Sequence, residues 1–400
     1  MKGFRDFYPS DQRKQNYIFK IWKSVALKYG FEEFSAPVLE PIELFNKSGQ
    51  EIPEQMYTLK DKSDRQLALR PELTPSLARM INENPNLPKP IKWFSIPECF
   101  RYENIQTGRS RSFFQFNLDI IGTTSMKADA EVIVTTIKIM ESFGLTQKDF
   151  YIRISNRKFM DDFLKELGIK DSKPIFRIVD KINKISISEF QKELKDNNLN
   201  DDQIKQLNKF LLIRDLKDIK NQSPGLEELK QLFKYLKDFD VSKYCQLDLT
   251  ISRGFDYYTS TIFEVFDKSL KFRALAGGGR YDNLANLPGV GYGMGDIVLQ
   301  VLLEDKKKLP KIENDLDYYI VLVNEEMFST GVKIAEKLRE NNRVELDLTE
   351  RNLGKQLNYA NSKNAKKVII VGPEELKKNK VRIRDMKTGK ESLKEITKLK

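Results

Sequence analysis

Charged residues of both signs interrupt an aromatic strand pattern at residues 98–122, which read ECFRYENIQTGRSRSFFQFNLDIIG. Apolar residues alternate on either side of a polar turn at 104–108, which predicts a hairpin of two paired strands. The charged residues that this hairpin carries are Arg101, Glu103, Arg109 and Arg111. Guanidinium groups bind phosphate oxygens through planar forks, and Phe113 beside them is suited to stack on a base. An ion-pair ladder on an exposed sheet face explains the same charges equally well.

Two further turns carry groups that bind polar ligands. RPELT at 70–74 predicts a strand-to-helix turn in which Glu72 and Thr74 face a cleft and can hold an ammonium group. Helix capping explains Thr74 equally well. RGFDYYT at 253–259 places an arginine and two tyrosines in the turn of a second predicted hairpin, residues 246–266.

Glycine is concentrated in two neighbouring stretches, AGGGRYDNL at 276–284 and GVGYGMGDIVLQVL at 289–302. Glycine allows a ligand to approach the backbone closely, although a bulge or a tight turn explains the first stretch equally well. The second stretch predicts a glycine-rich strand that enters an apolar helix.

The charge balance favours a polyanionic partner, because 69 Lys and Arg stand against 58 Asp and Glu in 400 residues, a net charge of +11. Nucleic acid is the partner that this excess indicates, although lysine-rich proteins that bind nothing acidic have a similar composition. Cys99 and Cys245 are too few for a disulfide framework or a zinc site. Since no apolar run reaches the length of a membrane span, we expect a cytoplasmic protein that does not bind membranes.

The chain contains no histidine, which restricts the chemistry it can perform. Histidine is the usual general base near neutral pH and the commonest metal ligand. Any reaction must therefore use arginine, carboxylates, tyrosine, glutamine or the substrate itself.

The motifs resemble those of class II aminoacyl-tRNA synthetases. FRYE followed by RSRSFFQF is similar to the second signature motif of that class, and RGFDYYT is similar to a signature of the histidyl-tRNA synthetase family. The resemblance spans essentially the whole chain. It implies an α+β catalytic core with an antiparallel sheet, a helical insertion and a C-terminal α/β anticodon-binding domain.

The expected domain boundaries follow changes in composition. The catalytic core is predicted in two parts, residues 1–155 and 241–312. Residues 156–240 are poor in Gly and Pro and predict the helical insertion, in which Ser188 and Gln191 suggest a capping box. Residues 317–400 alternate strand and helix patterns and form the predicted anticodon-binding domain.

The resemblance implies that the chain attaches L-histidine to tRNA(His) through a histidyl-adenylate, using ATP and Mg²⁺ and acting as a homodimer. It assigns catalysis to Arg101 and Arg253, which would grip the α-phosphate. The residues it assigns to histidine are Glu72, Leu73, Thr74, Arg101, Gln115, Asp119, Arg253, Tyr257, Tyr258 and Tyr281. The residues assigned to ATP are Arg101, Glu103, Arg109, Arg111 and Phe113. The residues that would bind the metal are not identified by the sequence.

The third signature motif departs from the family pattern. The glutamate and arginine expected in it fall at Ile297 and Val298, so the arginine that would contact the γ-phosphate of ATP is missing. Either Arg109, Arg111 or another cation takes that end of the nucleotide, or the chain has lost activity.

Two other functions compete with this interpretation. A non-catalytic paralogue, such as the regulatory subunit of ATP phosphoribosyltransferase in histidine biosynthesis, would explain the missing arginine. Such subunits generally lack the anticodon-binding type of domain that residues 317–400 predict. A general RNA-binding module would explain the net charge but not the motif at 253–259.

We predict that Arg253→Ala abolishes histidine-dependent exchange of pyrophosphate into ATP and leaves the fold intact. The reason is that the carboxylate of the amino acid is already a nucleophile, so the first step depends on cations that stabilise charge at phosphorus. Radiolabel exchange measures activity, and circular dichroism monitors the fold. Exchange in the variant at the same rate as in the unmodified protein would contradict the role of Arg253.

Overall fold

The computed structural model divides the chain into two compact units, Met1–Pro310 and Lys311–Lys400. No helix among the residues it describes combines the length and apolar character needed to cross a membrane. The residues that the structure describes are 1–46, 51–106, 108–182, 185–220, 222–251, 258–311, 316–349 and 351–399.

Strands and helices of both kinds make up the first unit. Its strands are β1 Glu32–Glu33, β2 Leu39–Pro41, β3 Tyr57–Lys60, β4 Gln66–Leu69, β5 Ile91–Ser95, β6 Glu98–Phe100, β7 Ser112–Ile121, β8 Phe150–Asn156, β9 Cys245–Leu247, β10 Thr261–Asp267, β11 Ala276–Leu284 and β12 Leu287–Gly295. Its helices are α1 Pro9–Lys28, α2 Glu51–Gln55, α3 Thr74–Glu83, α4 Met126–Ser142, α5 Arg157–Glu166, α6 Lys173–Val179, α7 Ile187–Asp196, α8 Asp201–Leu211, α9 Pro224–Asp238 and α10 Asp296–Asp305.

The largest sheet has the strand order β1-β5-β7-β12-β11-β10-β8-β9, and β6 also pairs with β7. Its pairs are antiparallel except β1 with β5 and β8 with β9. Alternate residues of β7 and β12 point into the core, where α1 and α4 cover them. Core residues of these two strands are Phe116, Leu118, Ile120, Val290, Tyr292 and Met294. The opposite face of the same strands is therefore available to a site.

The predicted hairpin at 98–122 is confirmed. β6 pairs antiparallel with the start of β7, so that Cys99 lies opposite Phe113. The turn between them contains a bridge from Gln106 to Arg109. β2, β4 and β3 form a smaller antiparallel sheet, in which Pro41 lies on the edge strand β2, as its missing N–H requires.

The helical insertion is also present, as α5 to α9. Its apolar residues belong to the same core as the large sheet. Contact between α4 and α9 joins the insertion to the strands.

The capping box predicted at Ser188 is wrong. Ser186 caps α7 by accepting a hydrogen bond from the N–H of Glu189 at 3.2 Å, and Ser188 contacts Ser186 instead. A capping box does occur at α8, between Asn200 and Gln203.

The second hairpin predicted at 246–266 is wrong. β9 and β10 do not pair with each other, because both pair with β8, on its opposite edges. β8 is a buried strand whose backbone N–H and C=O groups need hydrogen-bond partners on both edges. A hairpin of β9 with β10 would have left one edge of β8 without a partner. Residues 252–257, which carry Arg253 and Tyr257, lie outside the described residues.

The second unit is a small α/β domain. Its elements are β13 Tyr318–Leu322, α11 Phe328–Arg339, β14 Val344–Leu346, α12 Leu353–Ser362, β15 Lys367–Val371, α13 Pro373–Leu376, β16 Lys380–Asp385 and β17 Glu391–Glu395. The strand order is β14-β13-β15-β16-β17. β14, β13 and β15 are parallel, and β16 and β17 form an antiparallel hairpin near the C-terminus.

Candidate active site

A cleft of about 240 Å³ lies on the face of the large sheet that the helices leave open. Four alternate residues of β7 line it, so the period of the strand alone brings them to one side. They are Phe113, Gln115, Asn117 and Asp119. Further described lining residues come from the hairpin turn, α3, β10 with the segments on either side of it, and β11. They include Thr74, Arg101, Glu103, Arg109, Tyr258, Glu264, Arg273 and Tyr281.

The floor of the cleft is a glycine face made of Gly277, Gly291, Gly293 and Gly295. A Cβ atom built on Gly291 would lie 2.0 Å from Oδ1 of Asp119, and one built on Gly293 would lie 2.0 Å from Nε2 of Gln115. These distances are far inside van der Waals contact. The side chains of β7 therefore occupy space that any other residue in β12 would fill, which explains the alternating glycines of the sequence.

Asp119 and Tyr281 form a buried pair at the inner end of the cleft. The Tyr281 hydroxyl donates to Oδ1 of Asp119 at 2.8 Å, and each residue is at most 5% exposed. Burial raises the pKa of Asp119 to about 7, the bond from Tyr281 opposes that rise, and the charge of Glu72 adds to it. Burial also raises the pKa of the Tyr281 hydroxyl well above its usual value. An acceptor and a hydroxyl are thus held together in a buried environment.

The start of α3 brings a carboxylate to this inner end. Glu72 is 1% exposed, and its effect on the pKa of Asp119 shows that the two carboxyl groups lie within electrostatic reach. Thr74 is the first residue of α3 and lines the cleft. Leu73 is buried in an apolar cluster with Leu77, so its predicted contact with a ligand stays a prediction.

Gln115 and Asn117 continue the polar lining along β7. Nε2 of Gln115 donates to Oδ1 of Asn117 at 2.9 Å, and Nδ2 of Asn117 donates to the Gln115 carbonyl at 3.1 Å. Sequence reasoning missed Asn117. Its position two residues from Gln115 and two from Asp119 was the signal, because residues two apart on a strand share a face.

The outer part of the cleft carries arginines around one glutamate. Arg109 lies 3.1 Å from Glu103, and Arg101 lies 4.0 Å from the same carboxylate. Arg101 also donates from Nε to the Pro71 carbonyl at 2.9 Å, and its guanidinium lies 5.2 Å from the ring centre of Phe113. The cleft is therefore polarised, with carboxyl groups at its inner end and guanidinium groups at its outer end.

Arg111 has a different environment from the other two arginines. Its guanidinium lies over the ring of Tyr102 at 3.9 Å, and it is not among the described residues that line the cleft. The backbone N–H groups of Arg111 and Ser112 and the hydroxyl of Ser110 all donate to the carbonyl of Gly3. The N-terminal segment thereby holds the start of β7. A contact of Arg111 with nucleotide stays a prediction.

Asp296, in the first turn of α10, also lines the cleft. It is 2% exposed and accepts hydrogen bonds from Arg5 at 2.8 Å and from the N–H of Phe114 at 3.0 Å. Burial raises the pKa of Asp296, while Arg5 opposes that rise. Sequence reasoning missed Asp296 because its partners are 291 and 182 residues away in the chain.

A second buried ion pair stabilises β11 on the side that faces away from the cleft. The Arg280 guanidinium bonds both carboxylate oxygens of Asp129 on α4 and donates to the carbonyls of Thr123 and Ser125. Arg280 precedes Tyr281, so this pair holds the strand that carries the inner hydroxyl. Burial raises the pKa of Asp129, and the charge of Arg280 opposes that rise.

Comparison with known proteins agrees with the motifs. Residues 3–293 match the family described as histidyl-tRNA synthetase, and residues 317–400 match the family described as anticodon binding domain. A histidine–tRNA ligase of Opitutus terrae is 37% identical over 413 residues, which cover 98% of this chain and 94% of that protein.

Solved structures agree as well. A histidyl-tRNA synthetase from Nostoc sp. PCC 7120 matches with a TM-score of 0.82 and 26% identity, over 98% of this chain and 96% of that one. A Bacillus halodurans protein described as an ATP phosphoribosyltransferase regulatory subunit/histidyl-tRNA synthetase matches with a TM-score of 0.77 over 92% of this chain and 97% of that one. At 23% identity, this second likeness concerns the fold alone.

The substitutions Gly293→Ala and Gly278→Ala should have different effects on stability. At Gly293 the new Cβ meets the mobile end of Gln115, which can move, so we expect the free energy of unfolding to change by less than about 1 kcal/mol. At Gly278 the new Cβ would lie 2.3 Å from the carbonyl oxygen of Gly291 and 2.5 Å from Cβ of Tyr292, and we expect a loss of roughly 1–3 kcal/mol. Urea unfolding measures both.

A crystal structure of the Gly293→Ala protein should show the Gln115 amide displaced from Asn117. Equal stability of the two variants, or an unmoved Gln115, would contradict the close packing of the glycine face.

Asp119→Asn should stabilise the protein increasingly as the pH rises. The folded pKa of Asp119 is about 7, above the unfolded value of 3.8, so its stabilising contribution is complete below pH 4 and is lost as the pH rises through 7. Asparagine cannot ionise and still accepts the bond from Tyr281. Between pH 5 and pH 8, we expect the stability difference to move in favour of the variant by roughly 2–3 kcal/mol.

Urea unfolding at several pH values measures this difference. Asp238→Asn, at the exposed end of α9, is the matched control and should show no such trend. A constant difference between Asp119→Asn and the unmodified protein would contradict the raised pKa.

Proposed function

The chain belongs to the histidyl-tRNA synthetase family, and we propose that it attaches L-histidine to tRNA(His) through a histidyl-adenylate formed in the cleft of the first unit. The observation that carries this proposal is the polarity of the cleft. A buried acceptor and hydroxyl, Asp119 and Tyr281, lie at its inner end, and Arg101 and Arg109 lie at its outer end. An imidazole fits the first environment, and a triphosphate fits the second.

Histidine recognition is assigned to the inner end. Asp119 accepts the ring N–H of the imidazole, and Tyr281 and Tyr258 line the same cleft. A competing amino acid without such a donor leaves the acceptor capacity of Asp119 that Tyr281 does not use without a partner, which costs roughly 1–3 kcal/mol. Glu72, Thr74 and Gln115 are assigned to the α-amino group, as the family resemblance suggests.

ATP is assigned to the outer end. Arg101 is assigned to the α-phosphate together with Arg253, which lies outside the described residues. Phe113 is assigned to the adenine, with Glu103 beside it and Arg109 on the phosphates. Arg111 and Tyr257 stay predictions of the sequence, since the first stacks on Tyr102 and the second lies outside the described residues.

The reaction needs no protein base in its first step. A carboxylate oxygen of histidine attacks the α-phosphorus, the bond to pyrophosphate breaks, and pyrophosphate leaves with its electron pair. In the second step a ribose hydroxyl of tRNA attacks the acyl carbon, AMP leaves, and a phosphate oxygen of the adenylate accepts the proton. Residues of the chain align the reactants and stabilise charge, which suits a protein without histidine.

The cleft also fits Mg²⁺ held mainly by the nucleotide. Among the described residues no group of three acidic, cysteine or histidine side chains forms a metal cage. Mg²⁺ commonly uses one or two carboxylates and the phosphates of its nucleotide, and Glu103 and Glu264 line the cleft. When bound, the ion would neutralise part of the phosphate charge.

Two partner assignments belong to the same proposal. tRNA is assigned to the second unit, because residues 317–400 match an anticodon binding domain. A homodimer is assigned to the region around β2, where Leu39 on this edge strand and Val38 just before it are 42% and 43% exposed. A cytoplasmic location stays a prediction. The regulatory-subunit alternative gains less support, because the likeness to the Bacillus halodurans protein concerns the fold alone.

Pyrophosphate exchange tested with each amino acid decides the function. We propose that only histidine supports exchange and that the product charges tRNA(His). Exchange with another amino acid would contradict the assigned substrate. Binding of tRNA(His) without any exchange would favour a non-catalytic paralogue, and equal retention of all tRNAs in filter binding would favour a general RNA-binding module.

Asp119→Asn should raise the KM for histidine by about 10- to 100-fold at pH 8, because a hydrogen bond to a charged acceptor contributes about 1.5–3 kcal/mol. In the unmodified protein the KM should rise as the pH falls from 8 to 5.5, because Asp119, with a pKa of about 7, and free imidazole then both take up protons. The variant should show a shallower dependence, since only the imidazole titrates. Asp238→Asn is again the control.

An affinity for histidine that peaks near pH 7 and falls by pH 8 would contradict this assignment. That result would mean that the complex retains an additional proton, and that Asp119 does not act as a carboxylate acceptor.

A further inference from the structure

We propose that Arg273 binds the terminal phosphates of ATP, an inference that rests on the function proposed above. Arg273 lies on the segment between β10 and β11, is exposed, and lines the outer part of the cleft. The same residue borders a smaller hollow of about 70 Å³ beside Val298, on the first turn of α10. Its sequence context, between two strands and outside every motif, gave no reason to select it.

Three elements converge at this point. A Cβ atom built on Gly108 would lie 2.9 Å from Cγ2 of Val298 and 3.8 Å from Cδ of Arg273. The stem of Arg273 therefore lies beside the hairpin turn that carries Arg109 and beside the start of α10. Gly108 has a φ of +81°, a conformation that glycine adopts without strain, so the turn can approach both side chains.

The charges of the cleft explain why a further cation is needed there. Arg101 and Arg109 both approach the carboxylate of Glu103, at 4.0 Å and 3.1 Å, so part of their charge is already balanced. A triphosphate carries several negative charges, and Mg²⁺ neutralises only two of them. Val298 is apolar and 7% exposed, and it contributes no charge at the start of α10. Arg273 supplies a guanidinium fork at the same end of the cleft.

The direction of β7 indicates which end of the cleft would take the terminal phosphates. Asp119 and Phe113 are six residues apart on β7, which is about 20 Å of extended strand. With the imidazole at Asp119, the carboxylate of histidine points toward Phe113 and the hairpin turn. The leaving pyrophosphate then extends toward Gly108, where Arg273 lies.

A neighbouring cation provides the matched control. Lys271 borders the small hollow but is not among the described residues that line the cleft. Its ammonium group pairs with Asp305 on α10. Removing Lys271 changes the net charge of the segment by the same amount as removing Arg273, without removing a group from the cleft.

Arg273→Ala should raise the KM for ATP, and the KM for pyrophosphate in the reverse reaction, by about 10- to 100-fold, which corresponds to loss of one charge-assisted contact. The dissociation constant for AMP should not change, because AMP lacks the terminal phosphates. Arg273→Lys should recover part of the loss. Lys271→Ala should behave like the unmodified protein.

A second variant tests whether position matters. Val298→Arg introduced into the Arg273→Ala protein should restore the KM for ATP, since the two side chains border the same hollow. Unchanged KM values in Arg273→Ala, or an equal weakening of AMP binding, would overturn the proposal. Failure of Val298→Arg to restore ATP binding in a folded double variant would also overturn it.

The inference about Arg273 and the proposed function can fail independently in these experiments. If the unmodified protein shows no histidine-dependent exchange, the function fails, and calorimetric binding of ATP and AMP still tests Arg273 directly. If exchange with histidine is present and Arg273→Ala leaves ATP binding intact, only the inference about Arg273 fails.

Discussion

The site depends on the space that β12 leaves empty. Gln115 and Asp119 point across the sheet at a neighbouring strand, and they fit only because residues 293 and 291 have no side chain. The opposite face of β12 is built in the reverse way, with Val290, Tyr292 and Met294 packed into the core. A single strand therefore separates a dense apolar layer from a polar cleft. The alternation of glycine and apolar residues in β12 meets the needs of the cleft on one face and of the core on the other.

A gradient of charge across the cleft follows from this arrangement. The inner end is buried, which raises the pKa of Asp119 to about 7, close to the ordinary pKa of a histidine side chain. The outer end carries the guanidinium groups of Arg101 and Arg109. The cleft thus offers two environments about one strand length apart, one buried with carboxyl groups and one lined by guanidinium groups.

Local patterns in the sequence were sufficient for much of this structure. The hairpin of β6 and β7, the strand-to-helix turn at Thr74 and the helical insertion all arise from interactions between residues close in the chain. The family resemblance supplied the substrate, which residue patterns alone did not. The prediction of a hairpin at 246–266 failed because pairing with β8 is a long-range choice that strand propensity does not encode. Arg273 and Asp296 were missed for the same reason, since only the folded chain brings them to the cleft.

The bond between Arg5 and Asp296 has a consequence for how the protein is made. It joins residues 291 positions apart, and the Gly3 carbonyl that holds β7 lies on the same N-terminal segment. At typical rates of translation, roughly 15 to 60 s separate the synthesis of these two ends. During that interval Arg5 has no partner from α10, although the β7 residues that bind the Gly3 carbonyl are already synthesised. The finished cleft is therefore a late product of synthesis, and chains released early from the ribosome lack the contact that fixes β7 to α10.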